Sequence, residues 1–336
     1  MKKVNLIILF LFMLPKIILA QDEYVISQSK FLQKSNTSYF GFNQMGKVGV
    51  LYNTLKINEN ERIDNKYAFA SLPFQNRNFS LGFDINFFDL KNTGLRIGLS
   101  RFVYVYKVQL DSQVFFLPSV YVGLGSQNID VSSMVFSDQL NRNTGFINSN
   151  SVDPVSENLG VINYLDIGAS FLVHSDSFLL GLSLKQINKP NVSFNDEDTF
   201  QKEIKIGFQA GYEFDINPFG RSYLPRYSYL YTFLNTIKEG NSIYAQMEQK
   251  FNLGEFNLGF SEQASMVDSF GLNNIGVNIG LNLENFYFNL GYNFPMRSIG
   301  KVYAPSIFEL AVIFDFSIYQ RNNRGLYKSL QIDNYY

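Results

Sequence analysis

The sequence predicts a transmembrane antiparallel β-barrel of the outer-membrane type, with about fourteen strands and a cleaved N-terminal signal peptide. Three observations lead to this fold class: an apolar export segment, long stretches of alternating apolar and polar residues, and an unusual composition. The chain has 34 phenylalanines and 21 tyrosines, and only 17% of its residues are charged, against about 25% in an average soluble domain. A lipid-facing band flanked by aromatic side chains accounts for this composition.

The N-terminus has the features of a signal peptide. A short basic start precedes an apolar stretch over residues 4–14, and a small residue, Ala20, stands before the expected cleavage site. A proline and a lysine follow the stretch, which is too short for a membrane anchor. The chain contains no cysteine, so a lipid-anchored lipoprotein, disulfides and thiol chemistry are excluded. We therefore predict a mature chain that begins at Gln21.

Alternation of apolar and polar residues indicates β-strands along most of the chain. In Phe79–Phe87, five large apolar residues alternate with four small or polar ones, which places the two sets on opposite faces of a strand. Such stretches often exceed ten residues, whereas soluble strands average about five or six and transmembrane strands need roughly nine to eleven. The polar face is rich in glycine and asparagine, unlike a solvated sheet, which favours a membrane barrel over a soluble sandwich.

An even number of strands lets both chain ends face the periplasm. Connections after even-numbered strands are tight and those after odd-numbered strands tend to be longer, as expected for short periplasmic turns and long outer loops. The strands are predicted over residues 38–52, 64–73, 78–89, 95–108, 113–126, 160–173, 177–188, 200–215, 222–235, 241–252, 255–266, 270–283, 285–297 and 303–319. The predicted organisation is a signal peptide (1–20), a short periplasmic N-terminal segment (21–37), the barrel (38–319) and a periplasmic C-terminal tail (320–336).

Catalytic chemistry finds little support in the sequence. His174 is the only histidine and lies in a predicted tight turn, whereas a Ser-His hydrolase needs its histidine beside a nucleophile. The acidic run Asn195–Asp198 could bind calcium, but it lacks the spacing of a known calcium loop and is more simply a solvated loop. We predict no enzyme, no cofactor and no metal site, and the net charge of −1 gives no reason to expect nucleic acid.

Charged and aromatic residues leave two interpretations open. Lumen-facing charges could select a solute, but such groups more often pair across the lumen, because a polar interior needs balanced charge. Tyrosines could stack on sugars or peptides, although membrane-interface aromatics explain them with fewer assumptions. The long loop Gln127–Gly160 is the best surface candidate, because such loops are usually functional or disordered. The charges are Asp84, Lys205, Glu213, Glu309 and Asp315, and the tyrosines are Tyr223, Tyr227, Tyr229 and Tyr231.

Several stretches resemble the PorP/SprF family of type IX secretion outer-membrane proteins. Asp166–Phe194 (DIGASFLVHSDSFLLGLSLKQINKPNVSF) looks like the family's hairpin, in which a glycine-bearing strand, a short turn and a G-x-S strand end in a proline loop. Pro305–Phe314 (PSIFELAVIF) looks like the closing strand. Near the mature N-terminus, the chain keeps part of the family's N-P-A-Y-A-G motif. The positions that carry the resemblance are Asn36, Tyr39, Gly41, Gly168, Gly181, Ser183, Pro190 and Pro305.

The resemblance implies a role in exporting, or holding at the cell surface, large secreted proteins such as gliding adhesins. It implies contacts with such a protein's C-terminal domain, with periplasmic secretion or motility machinery and with outer-membrane lipid, but indicates no cargo-binding residues. The main alternative is a passive outer-membrane porin. A fatty-acid-type transporter would need an N-terminal hatch, and Asp22–Asn36 is short for one and could at most lie in or under the barrel. An outer-membrane enzyme is the third alternative.

Overall fold

Fifteen strand segments make up the wall of the molecule, for which we use a computed structural model. The structure describes residues 25–43, 45–56, 62–74, 77–91, 94–130, 161–194, 199–266, 270–296, 305–316 and 328–330. The strands are β1 (Lys47–Lys56), β2 (Arg62–Phe74), β3 (Phe79–Leu90), β4 (Leu95–Tyr106), β5 (Val108–Asp111), β6 (Val114–Ile129), β7 (Ile162–His174), β8 (Phe178–Lys185), β9 (Lys205–Asp215), β10 (Ser228–Glu239), β11 (Ser242–Leu253), β12 (Phe256–Met266), β13 (Phe270–Leu283), β14 (Phe286–Pro295) and β15 (Ser306–Asp315).

These segments close into one antiparallel barrel with fourteen strand positions. Strands that follow one another in the chain pair with each other, and β1 pairs with β15, from Lys47 opposite Asp315 to Lys56 opposite Ser306. β4 and β5 are two parts of one strand, because both pair with β6 on either side of Lys107. The predicted antiparallel barrel of fourteen strands is therefore confirmed.

The two faces of the wall differ as the alternation predicts. On β14, Leu290 is 49% exposed on the outer face, whereas its neighbour Asn289 is 3% exposed on the lumen side. The same alternation of exposed and buried residues runs along the strands as a whole. Because the outward residues are large and apolar, the outer surface matches the hydrocarbon core of a membrane. Within the described ranges, no helix is long and apolar enough to cross a membrane.

We call the end of the barrel where β1 begins and β15 ends the turn end, and the opposite end the loop end. At the turn end β13 and β14 are joined by Glu284 and Asn285, with Glu284 at a φ of 49°. Exceptions to the predicted asymmetry occur at both ends, and the short connection 91–94 between β3 and β4 at the loop end, which the sequence also predicts, is one of them. Residues 216–227 form a longer connection at the turn end, and Gly240 and Asn241 form a tight one at the loop end.

The prediction of a strand over residues 222–235 is wrong in its first half, because β10 begins only at Ser228. The side chain of Asn217 holds the preceding residues in a loop. Its amide nitrogen donates to the carbonyl oxygens of Arg221 (3.2 Å) and Pro225 (3.0 Å), and its oxygen accepts from the Arg221 backbone amide (2.7 Å). Local side-chain bonds of this kind compete with strand pairing.

The prediction of a strand over residues 38–52 is also wrong in its first half, because β1 begins only at Lys47. A short α-helix, α1 (Leu32–Ser35), is followed by a 3-10 helix (Thr37–Gly41). The Asn36 side chain starts the 3-10 helix by accepting a hydrogen bond from the Ser38 backbone amide (3.0 Å). These residues are buried on almost every side because they lie inside the barrel, so they form no part of its wall.

Candidate functional site: a lumen filled by both chain ends

The segment 25–43, which we call the N-terminal plug, occupies the barrel lumen. Its apolar residues Ile26, Phe31, Leu32 and Phe40 are at most 1% exposed. They pack on aromatic side chains that line the lumen: the Phe31 ring meets the ring of Phe69 edge-on, with centroids 5.9 Å apart. Residues 25–37, expected to form a periplasmic segment with at most a place in or under the barrel, thus lie within it.

Two buried glutamates of the wall hold the start of the plug. Glu309 on β15 accepts hydrogen bonds from the backbone amides of Ile26 (2.7 Å) and Ser27 (3.0 Å), and a further short one from the Ser27 hydroxyl. Glu248 on β11 accepts from the Ser29 backbone amide at 2.9 Å. Hydrogen bonds to an ionised acceptor are among the strongest in proteins, so these contacts fix the path of the plug.

The middle of the plug is held by Asn36 on the opposite side of the lumen. Its amide nitrogen donates to Oε1 of Gln209 on β9 (2.9 Å) and to the carbonyl oxygen of Phe171 on β7 (3.1 Å). A Cβ atom at Gly181 would lie 2.7 Å from the same nitrogen, too close for a side chain. Asn36 and Gly181, two positions that carry the family resemblance, therefore depend on each other.

A glycine also makes room for the aromatic tip of the plug. A Cβ atom at Gly82 on β3 would lie 2.4 Å from the Phe40 ring, and the Ser71 hydroxyl donates to the Phe40 carbonyl oxygen at 2.8 Å. The close approach of the plug therefore explains why a glycine stands at this position of the lumen face. The sequence showed the glycine-rich face, but not what lies against it.

Residues 328–330 of the C-terminal tail lie in the lumen near the turn end. Both oxygens of Glu213 on β9 accept from consecutive backbone amides, those of Ser329 (2.7 Å) and Leu330 (2.9 Å). The Asn252 amide donates to the Ser329 hydroxyl at 3.0 Å, and Leu330 is 1% exposed. Glu213 and Glu309 therefore bind the two chain ends in the same way, each with a pair of consecutive amides beside a buried aliphatic side chain.

The remaining predicted positions of the family resemblance lie in contact networks around the plug. Tyr39 stacks on Phe42 with ring centroids 4.7 Å apart. At the loop end, the Pro190 carbonyl oxygen accepts from the Lys202 amide (3.0 Å), and the Pro305 carbonyl oxygen accepts from the Asn274 side chain (2.9 Å). Gly41 lies beside Val105, Gly168 beside the Tyr121 ring, and Ser183 beside Gly207.

Three of the five predicted lumen charges form ion pairs with the residue directly opposite on the neighbouring strand. The strongest joins Asp84 to Arg101 by two bonds of 2.8 and 2.5 Å, with the Tyr67 hydroxyl as a third donor at 3.0 Å. The other pairs are Lys205 with Glu239 (3.2 Å) and Asp315 with Lys47 (3.5 Å). These three charges are therefore paired with the neighbouring strand of the wall and not, as the sequence predicts, across the lumen, whereas Glu213 and Glu309 bind backbone amides of the tail and of the plug.

The positions of His174, Tyr229 and Tyr231 in the structure differ from those that the sequence predicts. His174 is not a polar turn residue: it ends β7, is 1% exposed and packs between the rings of Phe42 and Phe115 at 4.5 and 5.6 Å. Tyr229 and Tyr231 are not interface aromatics either, because both point into the lumen and are 2% exposed. Tyr223 is exposed and Tyr227 half-buried in the connection before β10.

A small cavity of about 80 Å³ lies between the two chain ends at the turn end. Lysines make up much of its charged lining, including Lys30, Lys250 and Lys328. The ammonium group of Lys250 lies over the Tyr231 ring and donates to the Ser29 hydroxyl at 3.1 Å, while Lys328 donates to the Asp176 carbonyl oxygen at 2.9 Å. These lysines tie plug, tail and wall together.

Two predicted sites lie outside the described residues: the acidic run 195–198, and almost all of the loop 127–160, of which only 127–130 are described. The predicted signal peptide, residues 1–20, also lies outside them. Within the described part of the chain, no group of histidine and acidic residues is arranged to hold a metal ion. The glutamates that bind the chain ends were predicted only as lumen-facing charges, and Glu248 was not predicted at all; its mid-strand place on the lumen face was the available signal.

Comparison with known proteins identifies one family. Residues 21–314 match the family model described as "Type IX secretion system membrane protein PorP/SprF", and no curated protein sequence matches the chain. Among solved structures, the chain is similar to the TodX deltaS2S3 mutant monoaromatic hydrocarbon channel, with 10% identity, 86% of this chain and 93% of that chain covered, and a TM-score of 0.48. It is also similar to a FadL homologue from Pseudomonas aeruginosa, with 8% identity, 84% of this chain and 93% of that chain covered, and a TM-score of 0.44. A third similar structure is the Acinetobacter baumannii outer membrane protein Omp33, with 7% identity, 82% of this chain and 100% of that chain covered, and a TM-score of 0.42. These likenesses concern the fold alone.

Proposed function

The chain belongs to the PorP/SprF family of type IX secretion system membrane proteins, and from this we propose that it assists the export or surface attachment of one large, adhesin-like secreted protein. It is a secretion-associated barrel of the bacterial outer membrane. In the proposed role it is not an enzyme. It engages the C-terminal domain of its cargo and holds it at the cell surface.

The observation that carries the proposal is the filled lumen. Plug residues bond to β-strands on opposite sides of the barrel, to Glu309 on one side and to Gln209 on the other, and the tail is bound at the turn end by Glu213. A solute channel needs an aqueous path through the lumen. A barrel occupied by its own ends is better suited to binding partners at its two rims, which supports the secretion role over the porin.

The proposal includes an orientation of the barrel in the membrane. We place both chain ends and the turn end in the periplasm and the long loops outside, in keeping with bacterial outer-membrane barrels. The tail residue Lys328 then lies at the periplasmic rim, bonded to Asp176, where the rest of the tail can meet the secretion or motility machinery. The cargo is met from the loop end.

The proposal is tested by a pull-down of the tagged full-length barrel from its native outer membrane in mild detergent, followed by mass spectrometry. We expect one dominant, stoichiometric, very large secreted protein. The matched measurement is conductance of the purified barrel in a planar bilayer, for which we expect no open-channel steps. A barrel that is recovered alone and conducts ions would contradict the proposal and support the porin instead.

A further inference from the structure

Among the residues that the structure describes, the outer wall carries one carboxylate at membrane depth. Glu262 is the seventh residue of β12 (Phe256–Met266) and points outward, where it is exposed. At roughly 3.3 Å per residue and a tilt near 40°, it lies about 15 Å from the turn end of a strand about 25 Å tall. This places its side chain opposite the hydrocarbon core, where charged groups are unfavourable unless they meet a partner.

No group of the described chain satisfies this carboxylate. Glu262 forms no hydrogen bond or ion pair with any described residue, and its cross-strand neighbours are Met247 on β11 and Ile275 on β13. Two other outward carboxylates behave differently: Asp64 and Asp89 lie within two residues of the loop end and pair with Arg62 (2.7 Å) and Lys91 (2.9 Å). Glutamate has too short a side chain to reach the membrane surface from mid-strand.

Glu262 belongs to a polar line that crosses three strands. Gln249 on β11 also faces outward and lies diagonally next to Glu262, and Thr232 on β10 lies directly opposite Gln249. Diagonal neighbours of this kind are about 7–8 Å apart. The small residues Ala245 and Ala264, opposite each other on β11 and β12, leave room beside the line, whereas the outer face of β14 carries large aromatic and aliphatic side chains.

We propose that this face of β10–β12 is a docking surface for another membrane-spanning protein, which presents a lysine or arginine to Glu262. Charge complementarity indicates a cationic partner, because a cation at the same depth would neutralise the carboxylate. Gln249 and Thr232 would supply further hydrogen bonds. A second copy of this chain docked by the same face would instead place two Glu262 carboxylates together, which is repulsive. The surface is separate from the lumen and does not depend on the proposed cargo.

The test is photo-crosslinking in the native outer membrane, with p-benzoylphenylalanine at Met247 of the full-length chain and at Leu290 on β14 as the matched control. We expect a single adduct at Met247 with an integral membrane protein, identified by mass spectrometry, and no protein adduct at Leu290. Glu262→Lys should lower the adduct yield at least about tenfold, as expected for loss of a desolvated charge pair. Changing the crosslinked lysine or arginine of the partner to glutamate should restore it.

Three outcomes would overturn the proposal: adducts with lipid only, an adduct with a second copy of this chain, or an adduct whose yield is unchanged by Glu262→Lys. Glu262→Leu provides the folding control, read as heat-modifiable migration on a gel. Because this side chain bonds to no described residue, the leucine variant should fold as well as the wild type and still lose the adduct. A leucine variant that fails to fold would assign Glu262 a structural role and also contradict the docking surface.

Discussion

Glu309 holds Ser27 through two groups of the same residue, since the backbone amide (3.0 Å) and the side-chain hydroxyl of Ser27 both donate to Oε1 of the carboxylate. The contact joins the last strand of the barrel to a residue of the N-terminal plug, 282 positions away. The plug therefore cannot be fully anchored until β15 has been added, so barrel closure and plug docking are coupled.

Replacing this carboxylate should loosen the plug. In Glu309→Ala the amides of Ile26 and Ser27 lose their acceptor inside the lumen, at about 1–3 kcal/mol for each buried group left without a partner. We expect a lower midpoint in urea unfolding of the refolded barrel, and open-channel steps in a planar bilayer. Glu284→Gln, in the exposed β13–β14 turn, is the control and should change neither. A Glu309→Ala barrel of unchanged stability and silent conductance would show that the plug does not depend on this glutamate.

The wall of the barrel could be predicted from sequence because its signal is local. Alternation along Phe286–Phe294 indicates a two-faced strand without knowledge of any other strand, and two such stretches around Glu284 and Asn285 indicate a hairpin. The plug gives no such signal. Phe40 and Phe42 alternate with Gly41 and Asn43 as they would in a strand, and only contacts with distant strands place this segment in the lumen.

Part of the lumen site could also be predicted from the sequence. Asp84, Glu213 and Glu309 were identified as lumen-facing, since strand periodicity gives the face of each residue. Periodicity does not say what lies across the lumen, so it could not distinguish Asp84, which pairs with Arg101 on the next strand, from Glu309, which binds backbone amides. Those donors come from the far end of the chain, and their position is fixed only by the closed barrel.

The lumen glycines should be intolerant of even one methyl group. Gly82→Ala would bring a Cβ atom to 2.4 Å from the Phe40 ring, and Gly181→Ala would bring one to 2.7 Å from the Asn36 side chain. We expect each to destabilise the barrel by about 1–3 kcal/mol, typical of overpacking, measured by urea unfolding. The control is Ala68→Val on the outer face of β2, which adds volume towards lipid and should be nearly neutral. Equal effects for all three variants would place the strain in the wall and not in the plug.

Removing one partner of the buried pair of Asp84 and Arg101 should lower the free energy of unfolding strongly, whereas replacing both partners by apolar residues should lower it much less. Arg101→Met leaves a buried carboxylate whose one remaining hydrogen-bond donor among the described residues is the Tyr67 hydroxyl, and removal of one partner of such a pair costs about 3–5 kcal/mol. The double variant Asp84→Leu with Arg101→Met removes both charges and should recover most of that loss. Urea unfolding of the single and double variants measures the coupling.

An exposed pair in the same barrel serves as the control for this cycle. Lys91 and Asp89 are 2.9 Å apart, but the lysine side chain is 51% exposed, so Lys91→Met should cost less than about 1 kcal/mol. If Arg101→Met cost no more than Lys91→Met, the buried pair would contribute little to the stability of the barrel. A double variant as unstable as Arg101→Met would show that loss of packing, and not the isolated charge, causes the effect.

Release of the tail should depend on Glu213, because that carboxylate accepts the consecutive amides of Ser329 and Leu330. The chain has no cysteine, so Leu330→Cys introduces a single thiol at a position that is 1% exposed. We expect slow maleimide labelling of this thiol in the folded barrel, and labelling about tenfold faster when Glu213→Ala is added, since loss of one strong hydrogen bond of roughly 1.4 kcal/mol already shifts an equilibrium tenfold. Glu255→Ala, exposed at the same end of the barrel, should leave the rate unchanged. Fast labelling without any glutamate substitution would mean that the tail leaves the lumen freely, and the turn end would then be open to partners without a release step.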